Sequence, residues 1–177
     1  MAAVIILHGP TRAGKSWQAA HLAAHHGYAH ISSGNLLRAT KDPAILAHVA
    51  NGQLARSEDI ERLVQQALAA VPADQTILLD GFPRKINELR QLESWLPPLD
   101  RTIEKVIELY IPPEESHARG THRQRGDDDV AAVERKWQWY MTDTKEVLDY
   151  CEQQGWLRLV DGLGDREVVA ERIEAVL

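Results

Sequence analysis

Val4-Ile-Ile-Leu-His-Gly-Pro-Thr-Arg-Ala-Gly-Lys-Ser16 is the stretch that decides the fold. It opens on an apolar run of strand length and continues into G-x-x-x-x-G-K-[ST], matched at every fixed position from Gly9 to Ser16. The residue types follow from the chemistry of an anion. Glycines let successive backbone N–H groups converge on phosphate oxygens, and the helix that begins at Lys15 adds the positive end of its dipole. Gly9, Pro10, Thr11, Arg12, Ala13 and Gly14 would wrap a polyphosphate, Lys15 would reach its β and γ groups, and Ser16 would ligate Mg²⁺. A glycine turn that merely caps a helix is the bland alternative; the buried strand before the loop and the helix after it weigh against that reading.

Outward from this loop, short apolar strands alternate with helical patterns. Strands are predicted at Val4–Leu7, Tyr28–Ile31, Thr76–Asp80, Lys105–Ile111 and Trp156–Val160. Helices are predicted at about 15–26, 35–39, 43–50, 59–70 with Ser57 as N-cap, 86–95 closed by Pro97-Pro98, a short one from Pro113, 130–154 ending at Gly155, and 165–177. Gly120 to Asp129 is polar and without apolar periodicity, so it reads as an exposed loop. This alternation implies an α/β fold with a parallel sheet covered on both faces.

Composition bounds the function. With 177 residues, 44% hydrophobic and 26% charged, the chain has the profile of one soluble domain with a sizeable core. A net charge of −6 argues against a broad nucleic-acid surface, though it allows a local basic pocket. Cys151 is the one cysteine, so neither an internal disulfide nor a Cys/His zinc framework is expected. The apolar start lacks a basic n-region and no window is long enough for a membrane helix, so a cytoplasmic protein without membrane contact is expected; a monomer is expected as well.

Asp80 ends an apolar strand, where a carboxylate suits the second Mg²⁺ position of a phosphate-loop site; a plain turn or N-cap aspartate is the competing reading. Arg84 lies just beyond the same strand end, on the side where ligands bind such sheets. Arg119, Arg123 and Arg125 precede Asp127-Asp-Asp129, and Arg135 and Lys136 follow in the next helix. That is a concentration of cations in an acidic protein, which phosphoryl transfer needs and which a solvated charge run would also produce.

From these residues the chain resembles the adenylate kinase family of nucleoside monophosphate kinases, over its whole length and through motifs in order. Gly9–Ser16 looks like the family's phosphate loop. Ile31-Ser-Ser-Gly-Asn-Leu-Leu-Arg38 is similar to its monophosphate-binding segment, with Ser33, Gly34 and Arg38 toward the acceptor. Asn51-Gly-Gln-Leu54 resembles the stretch whose backbone, at Leu54, lies against the acceptor base. Leu79-Asp-Gly-Phe-Pro-Arg84 is close to the most diagnostic signature, in which Gly81 and Arg84 hold the acceptor phosphate. Arg119-Gly120 and Arg125-Gly-Asp-Asp128 look like a short lid, with Arg119, Arg125 and Asp127 at the transferring group, and Val160-Asp-Gly162 resembles the segment near the ATP base, at Gly162. The resemblance implies a P-loop NTPase fold with a five-stranded parallel sheet, an acceptor-binding insertion at about 32–60 and a short zinc-free lid at about 117–129. It also implies ATP and a nucleoside monophosphate as substrates, and Mg²⁺ as cofactor.

Several positions depart from the family pattern. Thr11 and Arg12 replace the usual proline and glycine, and Asn35 replaces an aspartate. Glu88 stands where a base-reading glutamine is usual; a carboxylate only accepts hydrogen bonds, so it favours a donor-rich base edge unless it is simply an exposed helix residue. Glu115 stands where an arginine is common near the ATP base. Lys136 aligns with the family's arginine after the lid, so either Lys136 or the adjacent Arg135 serves there. His21 and His25 are one helical turn apart, yet no carboxylate or cysteine in the neighbouring sequence completes a metal site, so both read as exposed helix residues. Two other readings stay open: a P-loop kinase of a non-nucleotide metabolite, and a nucleotide-binding regulatory protein with weak or no turnover.

Overall fold

A computed structural model of the chain describes residues 1–50, 56–119 and 130–177. Five strands form one sheet: β1 (Ala2–His8), β2 (Ala29–Ser32), β3 (Ile77–Asp80), β4 (Arg101–Tyr110) and β5 (Leu157–Asp161). Their spatial order is β2-β3-β1-β4-β5, and every pairing is parallel. The connecting helices are α1 (Lys15–His26), α2 (Ser33–Ala39), α3 (Pro43–Ala50), α4 (Ser57–Ala70), α5 (Ile86–Trp95), α6 (Pro113–Ala118), α7 (Val130–Trp139), α8 (Lys145–Gln153) and α9 (Arg166–Glu174). No described helix is long and apolar enough to cross a membrane.

Buried on both faces, the central strands lose the alternation of an amphipathic sheet, and Val4 to Leu7 are apolar without a break. Val4 and Ile6 point to one side with Leu79, where Val64 and Leu68 of α4, Leu89 and Leu92 of α5, and Val147 and Cys151 of α8 cover them. Ile5 and Leu7 point to the other side with Leu78, beneath Ala19 and Leu22 of α1 and Val169 and Ile173 of α9. Each such side chain, fully buried, contributes roughly 1.5–3 kcal/mol before chain entropy is counted.

The element pattern follows the sequence reading, with three differences. Strand β4 begins at Arg101, well before the expected Lys105. Arg101 is almost wholly buried, and its guanidinium donates to the carbonyls of Gln75 at 2.6 Å, of Val71 at 3.2 Å and of Pro72. A charged residue that caps three carbonyls escapes any hydrophobic pattern. The expected helix 130–154 is continuous but contains a π-helical turn at Tyr140–Thr144 between α7 and α8. Ser57 is the first residue of α4, whose N-cap is Arg56 and bears no side-chain cap.

His8 ends β1 and continues the row of Val4 and Ile6 into the sheet's C-terminal edge, 3% exposed. Burial, then the charges of Lys15 and Arg84, push its imidazole down to about 3 from 6.5. Between these values the unfolded chain holds a proton that the folded chain does not, so stability rises with pH across that window. The contribution is complete above the unfolded value and is lost as pH falls through it; going from pH 7 to pH 5 removes about 2 kcal/mol. In urea unfolding, His8→Leu is expected to lose less stability than wild type over that interval, by about that amount. Identical pH slopes would contradict a buried neutral imidazole.

Candidate active site

Strands β1 and β3 are neighbours, in register at Leu7 and Asp80, but the chain leaves them in opposite directions, β1 toward β2 and β3 toward β4. Loops therefore diverge above their C-terminal ends and leave a crevice, where ligands bind in sheets of this kind. A cleft of about 540 Å³ opens there, lined by Gly9, Thr11, Arg12, Lys15 and Ser16 after β1, and by Asp80, Gly81, Arg84 and Glu88 after β3. Gly34 and Arg38 of α2 line it too, with Lys136, Trp139, Tyr140, Asp143 and Thr144 from the long helix.

The phosphate loop is shaped by close approach. Gly9 has φ +143°, and a Cβ there would stand 2.2 Å from the Leu109 carbonyl oxygen, so only glycine fits between β1 and β4. Arg12 also takes a left-handed φ, +63°, which accounts for the glycine usual at this position; a side chain there costs about 1 kcal/mol. Its guanidinium donates to the Ser116 carbonyl at 3.4 Å, while Ser116 Oγ donates to the Thr11 carbonyl at 2.9 Å, so α6 braces the loop. Lys15 Nζ donates to the carbonyls of Gly9 at 2.8 Å and Pro10 at 2.7 Å. Ser16 Oγ donates to Asp80 Oδ2 at 2.9 Å, joining the two loops, and His30 Nε2 lies 4.0 Å from the same oxygen. A hydroxyl and a carboxylate at the end of a phosphate loop form the hard-oxygen set that suits Mg²⁺, which keeps its other positions for water and phosphate oxygens.

On the β3 side, Gly81 has φ +79° and the Phe82–Pro83 peptide is cis. Arg84 Nε donates to the Gly81 carbonyl at 2.9 Å, and the Arg84 backbone N–H donates to Glu88 Oε2 at 2.7 Å. Glu88 is thus a buried wall of the cleft, not an exposed helix residue. Burial, then the neighbouring Glu88 and Glu58 carboxylates, raise the Glu61 carboxyl above its ordinary value. Arg38 Nη2 donates to Asn35 Oδ1 at 2.6 Å, so Asn35 orients the arginine through a neutral amide.

Two sequence expectations, at Ser33 and Arg119, need correction, and of the two cations Arg135 and Lys136 one lines the cleft. Ser33 does not present its hydroxyl to the cleft: it is buried and donates to the Gly81 carbonyl at 2.8 Å, tying α2 to the end of β3, while Ser32 lines the cleft and caps α2. Lys136, not Arg135, lines the cleft, because α7 turns Arg135 outward. Arg119 sits at the end of α6 outside the cleft lining, donating to Glu115 Oε1 at 2.7 Å, the Arg12 carbonyl at 3.4 Å and the Gly162 carbonyl at 3.0 Å. It knits the phosphate loop to the turn after β5, where a Cβ on Gly162 would stand 2.9 Å from the Tyr110 carbonyl oxygen. Pro10, Ala13 and Gly14 shape the loop from behind, without lining the cleft. Leu54, Arg123, Arg125 and Asp127 lie outside the described residues.

Sequence reasoning missed His8, which lines the cleft; its signal is a histidine closing an apolar strand just before the first loop glycine. It also missed the π-helical turn. One widened turn puts Tyr140 and Thr144 inward; Tyr140 donates its hydroxyl to Glu108 in a very short contact, and Thr144 Oγ1 reaches the Arg84 carbonyl at 3.5 Å. Burial raises the carboxyl of Glu108 and the phenol of Tyr140 above their ordinary values.

The model of a family described as "Adenylate kinase" matches residues 7–156. Among similar proteins, the adenylate kinase of Synechococcus sp. strain RCC307 is 34% identical, across 96% of this chain and 95% of its own length. That of Clavibacter michiganensis subsp. michiganensis is 33% identical, across 98% and 92%, and "Adenylate kinase 1" of Nostoc sp. strain PCC 7120 is 32% identical, across 98% and 97%. Together with a parallel five-stranded sheet whose switch point joins a phosphate loop to Asp80 and Arg84, these matches establish that the chain belongs to the adenylate kinase family.

Proposed function

We propose that this nucleoside monophosphate kinase moves the terminal phosphoryl group of Mg-ATP onto a monophosphate held on the Arg38, Arg84 and Glu88 side of the cleft. The observation that carries the reading is one cavity lined both by the phosphate loop and by Arg84, so that two phosphate chains meet between adjacent strand ends. An oxygen of the acceptor phosphate attacks the γ phosphorus in line, the bond to the β–γ bridging oxygen breaks, and ADP leaves with that electron pair. The acceptor oxygen is already anionic, so positioning and charge stabilisation carry the catalysis, and no strong base is needed.

On the donor side, the amides from Gly9 to Ser16 receive the ATP phosphates, with Gly162 and Arg119 behind the loop. Lys15 exchanges its contacts with the Gly9 and Pro10 carbonyls, at 2.8 and 2.7 Å, for phosphate oxygens. On the acceptor side, Gly34, Gly81, Arg38 and Arg84 take the monophosphate, Lys136 adds charge from above, and Ser33 serves by fixing the backbone of Gly81. Residues 32–60 form the acceptor segment in this reading, with Leu54 near the base, and Arg125 and Asp127 belong to a lid at 117–129. Ser16 and Asp80 would hold Mg²⁺, which when bound neutralises charge on the β and γ oxygens.

Lys15→Ala and Arg84→Ala are each expected to lower kcat/KM by about 10²–10³ or more in a coupled ADP-release assay. Near-wild-type rates in either would refute its role.

Glu88 sets the acceptor base in this proposal. One of its oxygens is committed to the Arg84 N–H, and the carboxylate can only accept, so it selects bases that offer donors at that edge. Rates across AMP, CMP, UMP, GMP, dTMP and dCMP are expected to change order on Glu88→Gln, by about tenfold or more in the ratio of kcat/KM for GMP to that for AMP. An unchanged ratio would remove Glu88 from base selection.

A further inference from the structure

The far end of α1, opposite the cleft, carries His25 and His26, and the fold brings a carboxylate to them that lies almost 150 positions away in the chain. Glu174, the last residue of α9, places both carboxylate oxygens 2.8 Å from His26 Nε2, and Oε1 lies 3.4 Å from His25 Nδ1. The pair singled out in the sequence, His21 and His25, gains no such partner as a pair; it is His25 and His26 that the distant Glu174 joins. We propose that His25, His26 and Glu174 bind one divalent transition-metal ion of the zinc class, at a site separate from the Mg²⁺ position in the cleft.

The geometry suits such an ion. One donor atom from each residue can be chosen so that all three lie within 4.8 Å of one another. Around tetrahedral zinc, with bonds of about 2.0–2.1 Å, donors stand about 3.3 Å apart, so the trio needs only small side-chain adjustments. Its rings are braced. His26 stacks on Tyr28 at 4.9 Å, and His25 meets His26 edge-on at 4.9 Å. Behind them His21 stacks between His25 and Trp17, which spends its ring on packing and leaves it out of the donor set. His25 is exposed on its outer side, so solvent can fill a fourth position. Two imidazoles with one carboxylate favour Zn²⁺, Ni²⁺, Co²⁺ or Cu²⁺; Mg²⁺ and Ca²⁺ prefer all-oxygen sets.

The ion would clamp α1 to α9. These helices already touch at their other ends, where Gln18 Nε2 donates to the Arg166 carbonyl at 2.8 Å and the Arg166 guanidinium lies over the Trp17 ring at 5.6 Å. A metal at the far end closes the second point of attachment, so its effect falls on stability and not on phosphoryl transfer.

The test uses the purified full chain, stripped of metal and titrated with ZnCl₂ by calorimetry and with CoCl₂ by visible absorption. One equivalent is expected to bind in wild type and in Asp80→Asn, with affinity at least about tenfold weaker in His26→Ala and Glu174→Gln. At a hundredfold excess of free Zn²⁺ over Kd, the wild-type melting midpoint is expected to rise by roughly 5–10 °C, a shift absent from both variants. Should either variant misfold, His25→Ala, which removes an exposed ring, gives the same comparison. Binding weaker than about 1 mM in wild type, or unchanged in these variants, would overturn the proposal, and loss only in Asp80→Asn would move the ion to the cleft.

Discussion

Two parallel strands lying side by side, with their connections running apart, impose the constraint from which the rest follows. Leu7 and Asp80 are register partners, so the loop after β1 and the loop after β3 begin at the same height. Because the chain after β1 returns through α1 on one face of the sheet and the chain after β3 through α5 on the other, the two loops part above the strand ends. The hydrogen bond from Ser16 to Asp80 closes that junction and fixes the first turn of α1 against the end of β3. The junction therefore stands directly on the centre of the sheet, where Val4, Ile6, Leu7, Leu78 and Leu79 are fully buried.

Cations gathered in one cleft repel one another, and the structure handles this with neutral acceptors. Lys15 is met by the carbonyls of Gly9 and Pro10, Arg84 by that of Gly81, and Arg38 by the Asn35 amide. Carbonyl dipoles orient these side chains without cancelling their charge, so the field needed by a polyphosphate is kept. His8, at the end of β1, is kept neutral by burial first and by the charges of Lys15 and Arg84 second. Arg12 bears a backbone strain that glycine would avoid, offset by its tie to Ser116.

The sequence made the architecture legible wherever local pattern and global role agreed: the apolar run into Gly9, the strand into Asp80, and the cysteine-poor, weakly acidic composition. It was less informative where a residue's partner sits far along the chain. Arg101 reads as a break in a strand until the carbonyls of Val71, Pro72 and Gln75 are seen around it. Ser32 and Ser33 are interchangeable on paper; only the start of α2 decides which hydroxyl meets the cleft and which meets Gly81. Arg135 and Lys136 differ by one step of a helix, and the helix phase selects Lys136. A π-helical turn has no sequence signature of its own, yet it directs Tyr140 and Thr144 inward. Glu174 beside His26 is beyond any local reading.

The central claim is that two phosphate chains meet between the ends of β1 and β3. The most direct measurement is a crystal structure with two nucleosides joined by a polyphosphate. That polyphosphate is expected to run from the amides of Gly9–Ser16 to the Arg84 guanidinium, with Lys15 Nζ drawn off the carbonyls it now touches at 2.8 and 2.7 Å. A polyphosphate bound elsewhere, or one that leaves Arg84 without a phosphate contact, would contradict it.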